Sequence, residues 1–167
     1  MNALRFQHSS KFEASGEALW SFHMRQDAID LLSPKVFGFK VVDRGEGVVD
    51  GSVVEFRVGR WPFRRRWVAL HGAIQEGESF TDVALEGPFR FWAHQHTIES
   101  PGPGVSLLTD TVWFLPPSFC PAWVCRLALK GLFSWRHLVT RRSIERTTGQ
   151  EKKKRHVECV STIGGSS

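Results

Sequence analysis

Tyrosine is absent from the 167 residues, methionine occurs twice and cysteine only three times. Cys120, Cys125 and Cys159 are too few, and odd in number, for a disulfide-stapled scaffold, so a reducing compartment is expected. Cys120 and Cys125 stand five apart, a spacing that does not stack two side chains on one helical face, and they read as unrelated helix thiols. No run of about eighteen apolar residues exists to span a bilayer. The opening MNALRFQHSS lacks the apolar core of a secretion signal, so a soluble, cytoplasmic protein is expected. No phosphate-cradling glycine loop, G-x-S-x-G elbow or dinucleotide fingerprint occurs, and Gly45-Glu46-Gly47 reads as a turn. No nucleotide and no other cofactor is therefore expected.

What is present is apolar and aromatic. Hydrophobic residues make up 41% of the chain, with seven Trp and thirteen Phe. A chain of this length suits one compact domain burying roughly two-thirds of its unfolded surface. The net charge of +5 is uneven, with basic runs at Arg64 to Arg66, Arg141-Arg142 and Lys152 to Arg155. Such runs are either solvated surface or a means of attraction to anionic lipid; nucleic acid is not expected as a partner. The Arg64 to Arg66 run lies beside Trp61, Phe63 and Trp67. It forms a basic-aromatic tip that either touches a membrane surface or folds its Trp residues back onto the sheet.

The most informative stretch is Phe80 to Ile98, FTDVALEGPFRFWAHQHTI. Its second half alternates Trp92, His94, His96 and Ile98, which places those four side chains on one face of a strand. Gly87-Pro88 cannot sit inside a central strand and marks a reversal. A symmetric hairpin about Pro88 sets Asp82 opposite His94, Ala84 opposite Trp92 and Glu86 opposite Arg90. Strand-length runs rich in Val, Phe, Trp and Thr also occur at Leu4 to Glu13, Phe37 to Asp43, Ser52 to Arg60, Trp67 to Glu76 and Val105 to Leu115. With the two strands of the hairpin this makes seven. Two short helices fall between the first and second strands, opening at Ser15-Gly16-Glu17 and closing at Ser33-Pro34.

Leu115-Pro116-Pro117-Ser118 ends the strands, and an amphipathic helix over about Phe119 to Arg146 follows. Its expected buried stripe is Phe119, Trp123, Leu127, Gly131, Trp135 and Leu138. Residues 1–148 form the expected domain. Residues 149–167 are rich in charge, Gly and Ser and read as a mobile basic tail.

One strand, two short helices, six antiparallel strands and a long final helix is the order of the helix-grip fold, an α+β architecture in which a curved seven-stranded sheet wraps the last helix. Residue patterns agree: Leu31-Leu32-Ser33-Pro34, Trp67, Phe80-Thr81-Asp82, Gly87-Pro88-Phe89, Trp92-Ala93-His94-Gln95-His96, then Thr109-Asp110 and Pro116. Over Leu4 to Trp135 the sequence resembles a bacterial branch of START-like SRPBCC proteins, akin to polyketide cyclase/dehydrase and coenzyme-Q-binding domains. It departs from that branch in its Arg-rich final helix and in Ile98, where an aromatic is usual. The resemblance implies a cavity for a hydrophobic ligand, in a superfamily that includes both carriers and enzymes.

A second hairpin symmetric about Gly102 sets His94 opposite Asp110 and Trp92 opposite Val112. His94, flanked by two carboxylates, is then either a polar anchor for a ligand or part of a ladder of mutually satisfied polar groups. The expected ligand-binding set is Asp82, Trp92, His94, His96, Asp110, Val112, Phe119, Trp123 and Leu127. His94 is the one candidate for a proton-carrying catalytic role, as in a cyclase, dehydratase or hydrolase. His94 and His96 also offer two metal-ligand nitrogens, but further ligands come only through His71 or Asp110 in a register the sequence does not fix, and no metal is assigned. Binding of a small hydrophobic molecule by a non-enzymatic protein is the favoured expectation. An enzyme and a membrane-surface module remain as alternatives, and the oligomeric state is left open.

Overall fold

Residues 2–163 are described by a computed structural model, apart from the side chains of Phe37 and of 148–163. Seven strands form one antiparallel sheet: β1 (Leu4–Phe12), β2 (Lys40–Asp43), β3 (Val53–Val58), β4 (Arg65–Gln75), β5 (Ser79–Glu86), β6 (Phe91–Gly102) and β7 (Val105–Leu115). Their spatial order is β1-β7-β6-β5-β4-β3-β2. Helices α1 (Gly16–Met24) and α2 (Ala28–Leu31) lie between β1 and β2, and α3 (Ala122–Ile163) follows β7. This is the helix-grip order expected from the sequence. Helix α3 continues past Arg146, where the sequence pattern ends it; residues 164–167 of the tail lie outside the described residues.

Local chemistry sets the element ends. Ser15 caps α1 by accepting the Ala18 N–H, and Leu19, Phe22 and His23 form its buried side. Gly16 lets α1 approach β6, because a Cβ at this position would run into Ser100 Oγ. Residues 37–39, expected in β2, instead lie in and after a one-turn 3₁₀ helix, Lys35–Phe37. That turn is stopped by Gly38 at φ +76°, where any Cβ would meet the Gly59 carbonyl at 2.6 Å.

The core divides into two apolar clusters. One joins Phe12, Leu19, Phe22, Ile98 and Leu108 to Ile144 of α3. The other joins Trp67, Trp92, Val112 and Phe114 to Cys125, Leu129 and Phe133 of α3. The helix therefore buries the stripe Cys125, Leu129, Phe133, His137, Thr140 and Ile144. The expected stripe is corrected: Phe119 is 86% exposed and Trp123 65% exposed, and Leu127 is exposed too. Recurrence of apolar residues selects the wrong face because the inward positions include His137, which binds Asp110 and Ser10, and the buried Thr140.

Candidate functional site

Between the two clusters, each inward-facing element places polar groups. On β6, His94 and His96 separate Trp92 from Ile98; on β7, Asp110 separates Val112 from Leu108; on α3, His137 and Thr140 separate Phe133 from Ile144. The interior is a polar layer between two apolar ones, and all of these polar side chains are buried.

The first hairpin places Asp82 opposite His94, as expected, and Phe80 opposite His96. The second is offset by two residues from a symmetric turn, with an irregularity between Glu99 and Gly102. His94 thus faces Val112, Trp92 faces Phe114, and Asp110 faces His96. An even offset preserves the face of every side chain, so Asp110 still points inward and reaches His94 diagonally. Glu86 pairs with Arg66 at 2.7 Å; the β5–β6 ladder ends at Val83 and Ala93, short of the expected Glu86–Arg90 pair, and a bulge in β5 at Leu85 sets Glu86 opposite Val68 of β4.

His94 lies between two carboxylates, Nδ1 at 3.0 Å from Asp82 Oδ1 and Nε2 at 2.8 Å from Asp110 Oδ1. Both ring nitrogens face acceptors, which is the arrangement of an imidazolium. Burial alone pushes its pKa down, but the two carboxylates outweigh burial and hold it up at about 9. Asp82 also accepts from Trp92 Nε1 at 3.2 Å. Burial pushes the Asp82 pKa up, while the His94 charge and bond, with His96 and His71, bring it down to about 2. Asp110 is bound on its other oxygen by His137 Nε2 at 2.6 Å, and His137 Nδ1 in turn meets Ser10 Oγ at 2.7 Å. Against the cost of burial, His96, His137 and His94 hold its carboxyl well below the usual range.

His96 behaves differently. It stacks on Phe80, ring centroids 4.2 Å apart. Its Nδ1 is 2.7 Å from Asp110 Oδ1, yet this buried atom makes no hydrogen bond, since closeness without alignment does not give one. Burial and the adjacent His94 charge push its pKa down to about 3, with Asp110 opposing, so it is neutral at pH 7.

A cavity of about 100 Å³ opens beside this cluster. Its polar lining is Asp82, His94, His96, His23, His71 and Arg136, and its apolar lining includes Phe39, Phe56, Trp67, Ala69 and Trp92, with Ile29 and Leu32 from the α1–α2 side. Asp82, Trp92, His94 and His96 of the expected set line it; Asp110 and Val112 are buried behind the wall, and Phe119, Trp123 and Leu127 point away. The α3 wall is Leu132 and Arg136 instead. Arg136 donates to the Leu32 carbonyl at 3.0 Å. Burial lowers its pKa and the two aspartates oppose this.

Four participants escaped the sequence reading. His71 was considered only as a metal ligand, and it lies directly opposite Asp82. His23 follows Leu19 by one helical turn and donates Nδ1–H to the Leu19 carbonyl, 2.8 Å away. His137 and Arg136 follow Phe133 by four and three residues, a spacing that would have found them had the stripe been anchored on Phe133. Among the described residues, Asp82, His94 and His96 have donor atoms all within 4.8 Å of one another, a set able to hold a metal ion.

Cys120 and Cys125 are also closer than expected, Sγ to Sγ 3.5 Å, because Cys120 precedes the helix and folds back against its first turn. The β3–β4 turn, the β5–β6 turn and the β7–α3 link share one end of the sheet. There Trp61 is 85% and Phe63 80% exposed, while Trp67 is packed inside.

No family model matches the sequence, and no curated protein matches it either. Solved structures match its fold. One is a nucleoside-diphosphate sugar epimerase from Corynebacterium glutamicum, 24% identical, with TM-score 0.71 over 88% of this chain; the chain spans 30% of that protein's length. A START superfamily protein from Mycobacterium smegmatis is 14% identical over 86% of this chain and 98% of its own, with TM-score 0.67. Norcoclaurine synthase from Thalictrum flavum, solved with dopamine and hydroxybenzaldehyde, is 13% identical over 86% of this chain and 87% of its own, with TM-score 0.65. The α+β helix-grip fold of the START-like proteins is the fold of this chain.

Proposed function

We propose that the protein binds a small, mainly apolar molecule carrying one oxygen-bearing polar group, in the cavity between the sheet and α3, as a carrier, sensor or accessory protein. The observation behind this reading is a cavity lined both by aromatic side chains and by a cluster of His, Asp and Arg, the pairing of apolar area and few convergent polar groups that ligand sites use. The anchor is Asp82, His96 and Arg136, with Asp110 holding the histidines from behind. About 100 Å³ is below the volume usual for ligand sites, so a ligand of more than a few atoms displaces wall side chains. Native mass spectrometry of the purified chain tests the reading: a co-purifying lipophile that is retained by the unaltered protein and lost on Arg136→Gln supports it. No bound molecule, with no quenching of Trp fluorescence by a panel of aromatic acids and phenols, overturns it.

As an enzyme the chain would need a proton carrier with a free nitrogen. His94 has both nitrogens engaged by carboxylates, which argues against the role expected for it. A pH–rate profile on aromatic polyketide-like substrates is the test of that rival.

The exposed Trp61 and Phe63, next to Arg60, Arg64 and Arg65, favour a second, compatible reading in which this end of the sheet touches an anionic membrane surface. Among the described residues no helix is long and apolar enough to cross a membrane.

A further inference from the structure

We infer that Asp82, His94 and His96 form a binding site for one divalent transition-metal ion of the zinc class, facing the cavity. The donor set is two imidazole nitrogens and one carboxylate oxygen, the combination used for Zn²⁺ and for open-faced Fe²⁺ sites and not for Ca²⁺ or Mg²⁺, which take oxygen ligands. Two strands supply it: His94 and His96 are alternate residues of β6 on its inward face, and Asp82 is directly opposite His94 on β5.

The spacing is near that of a metal site. Asp82 Oδ1 lies 3.0 Å from His94 Nδ1 and 3.8 Å from His96 Nε2, and all three donor atoms lie within 4.8 Å of one another. Ligands bound at about 2.0–2.2 Å from a common ion sit roughly 3.0–3.5 Å apart in tetrahedral or octahedral geometry, so a pair at the 4.8 Å limit has to close by roughly 1.3–1.8 Å.

The outer arrangement is the stronger sign. A metal-bound histidine commonly hands its other nitrogen to a carboxylate, which fixes the ring and its tautomer. Here one oxygen of Asp110 does this for His94, 2.8 Å from its Nε2, and stands 2.7 Å from the unbonded Nδ1 of His96. Its second oxygen is held by His137. The buried His96 Nδ1, which lacks a hydrogen bond, gains one when the ring turns to bring Nε2 onto the ion. Binding displaces the proton shared by His94 Nδ1 and Asp82, so uptake of the ion releases a proton. The remaining coordination positions open toward the cavity, where His23 and His71 stand on other walls.

The test needs no organic ligand, so its failure is separate from that of the proposed apolar binding. Chelator-treated full-length protein is titrated with Co²⁺ and then Zn²⁺. Expected are one equivalent of Co²⁺ with visible ligand-field bands of nitrogen and oxygen coordination, displacement by Zn²⁺, and at least a 10-fold weaker affinity in Asp82→Asn, His96→Gln and the positioning variant Asp110→Asn. Should a variant misfold, proton NMR of the unaltered chain decides: Co²⁺ must shift two imidazole N–H signals, those of His94 and His96. No ligand-field bands, a thiolate charge-transfer band from a cysteine site, or an affinity unchanged in a folded His96→Gln overturns the inference.

Discussion

Asp110 stands opposite His96 across the β6–β7 ladder, yet the hydrogen bond it accepts from β6 comes from His94, two residues away, at 2.8 Å. One carboxylate thereby fixes His94 and leaves His96 beside it without a hydrogen bond, so removing either ring has a different consequence.

His94→Ala leaves Asp82 and Asp110 buried without the cation between them. A broken buried ion pair costs on the order of 3 kcal/mol, which in a chain of this size lowers Tm by about 6–12 °C. His96→Ala removes a stack on Phe80 but no hydrogen bond, and lowers Tm by clearly less while weakening ligand retention more. Thermal melts at neutral pH decide; a His94→Ala Tm equal to that of the parent would show the network to be of no structural consequence.

The inward face of α3 is tested by a pair of truncations. Phe133 is fully buried between sheet and helix, so Phe133→Ala should cost about 3–5 kcal/mol. Trp123 is mostly exposed, and Trp123→Ala should stay within about 0.5 kcal/mol of the parent in urea unfolding. Comparable losses from both would mean that α3 is rotated.

Stability of the metal-free protein should peak near pH 6.5. His94, held up at about 9 from an ordinary 6.5, adds stability that is fully present below 6.5 and disappears as pH rises through 9. His96, pushed down to about 3, acts oppositely: the unfolded chain takes up its proton below 6.5 and the folded one does not, so stability falls from 6.5 toward 3. Buried His23, also lowered, adds to that acid loss. The Asp82 contribution is lost only from 3.8 down through about 2. Melting curves across pH 4 to 10 in the presence of chelator should trace this maximum; a flat profile from 5 to 9 would refute the charge assignments.

At the exposed tip, Arg64→Gln should reduce partitioning to vesicles containing anionic phosphatidylserine by about 5-fold, the equivalent of roughly 1 kcal/mol per basic residue at such a surface. Trp61→Ala with Phe63→Ala should reduce binding to the same vesicles with less dependence on salt. Vesicle sedimentation through a salt series separates the two effects, and equal binding by all variants would remove the membrane reading.

The sheet was legible because period-two alternation and Gly/Pro breaks are local signals, and the pairing of Asp82 with His94 followed from one such break. Asp110 was rightly placed beside His94 although the pairing that put it there was offset by two, since parity alone chooses the face. The helix was misread for a physical reason. Burial in α3 is decided by what the sheet presents, and opposite the polar layer the sheet presents carboxylates, so His137 and Arg136 face inward while Phe119 and Trp123 do not. Nothing within the helix itself carries that information.

The bulge between Glu99 and Gly102 has a further consequence for how the chain tolerates changes of length. At the tip Gly102 pairs with Val105, and a ladder continuing in step from there would pair His94 with Trp113 and turn Asp110 to the solvent side. The single surplus residue at Ser100-Pro101 shifts the count by one and brings Asp110, Val112 and Phe114 back indoors. Deleting Pro101 should therefore remove the bulge and leave the interior in place, because Gly102 still pairs with Val105, Ser100 then meets Ser106 and Glu99 keeps Leu107; inserting two residues at Pro103-Gly104 should be absorbed as a longer loop, so here an indel is judged by whether the ladder beyond it keeps its partners, and only secondarily by its size.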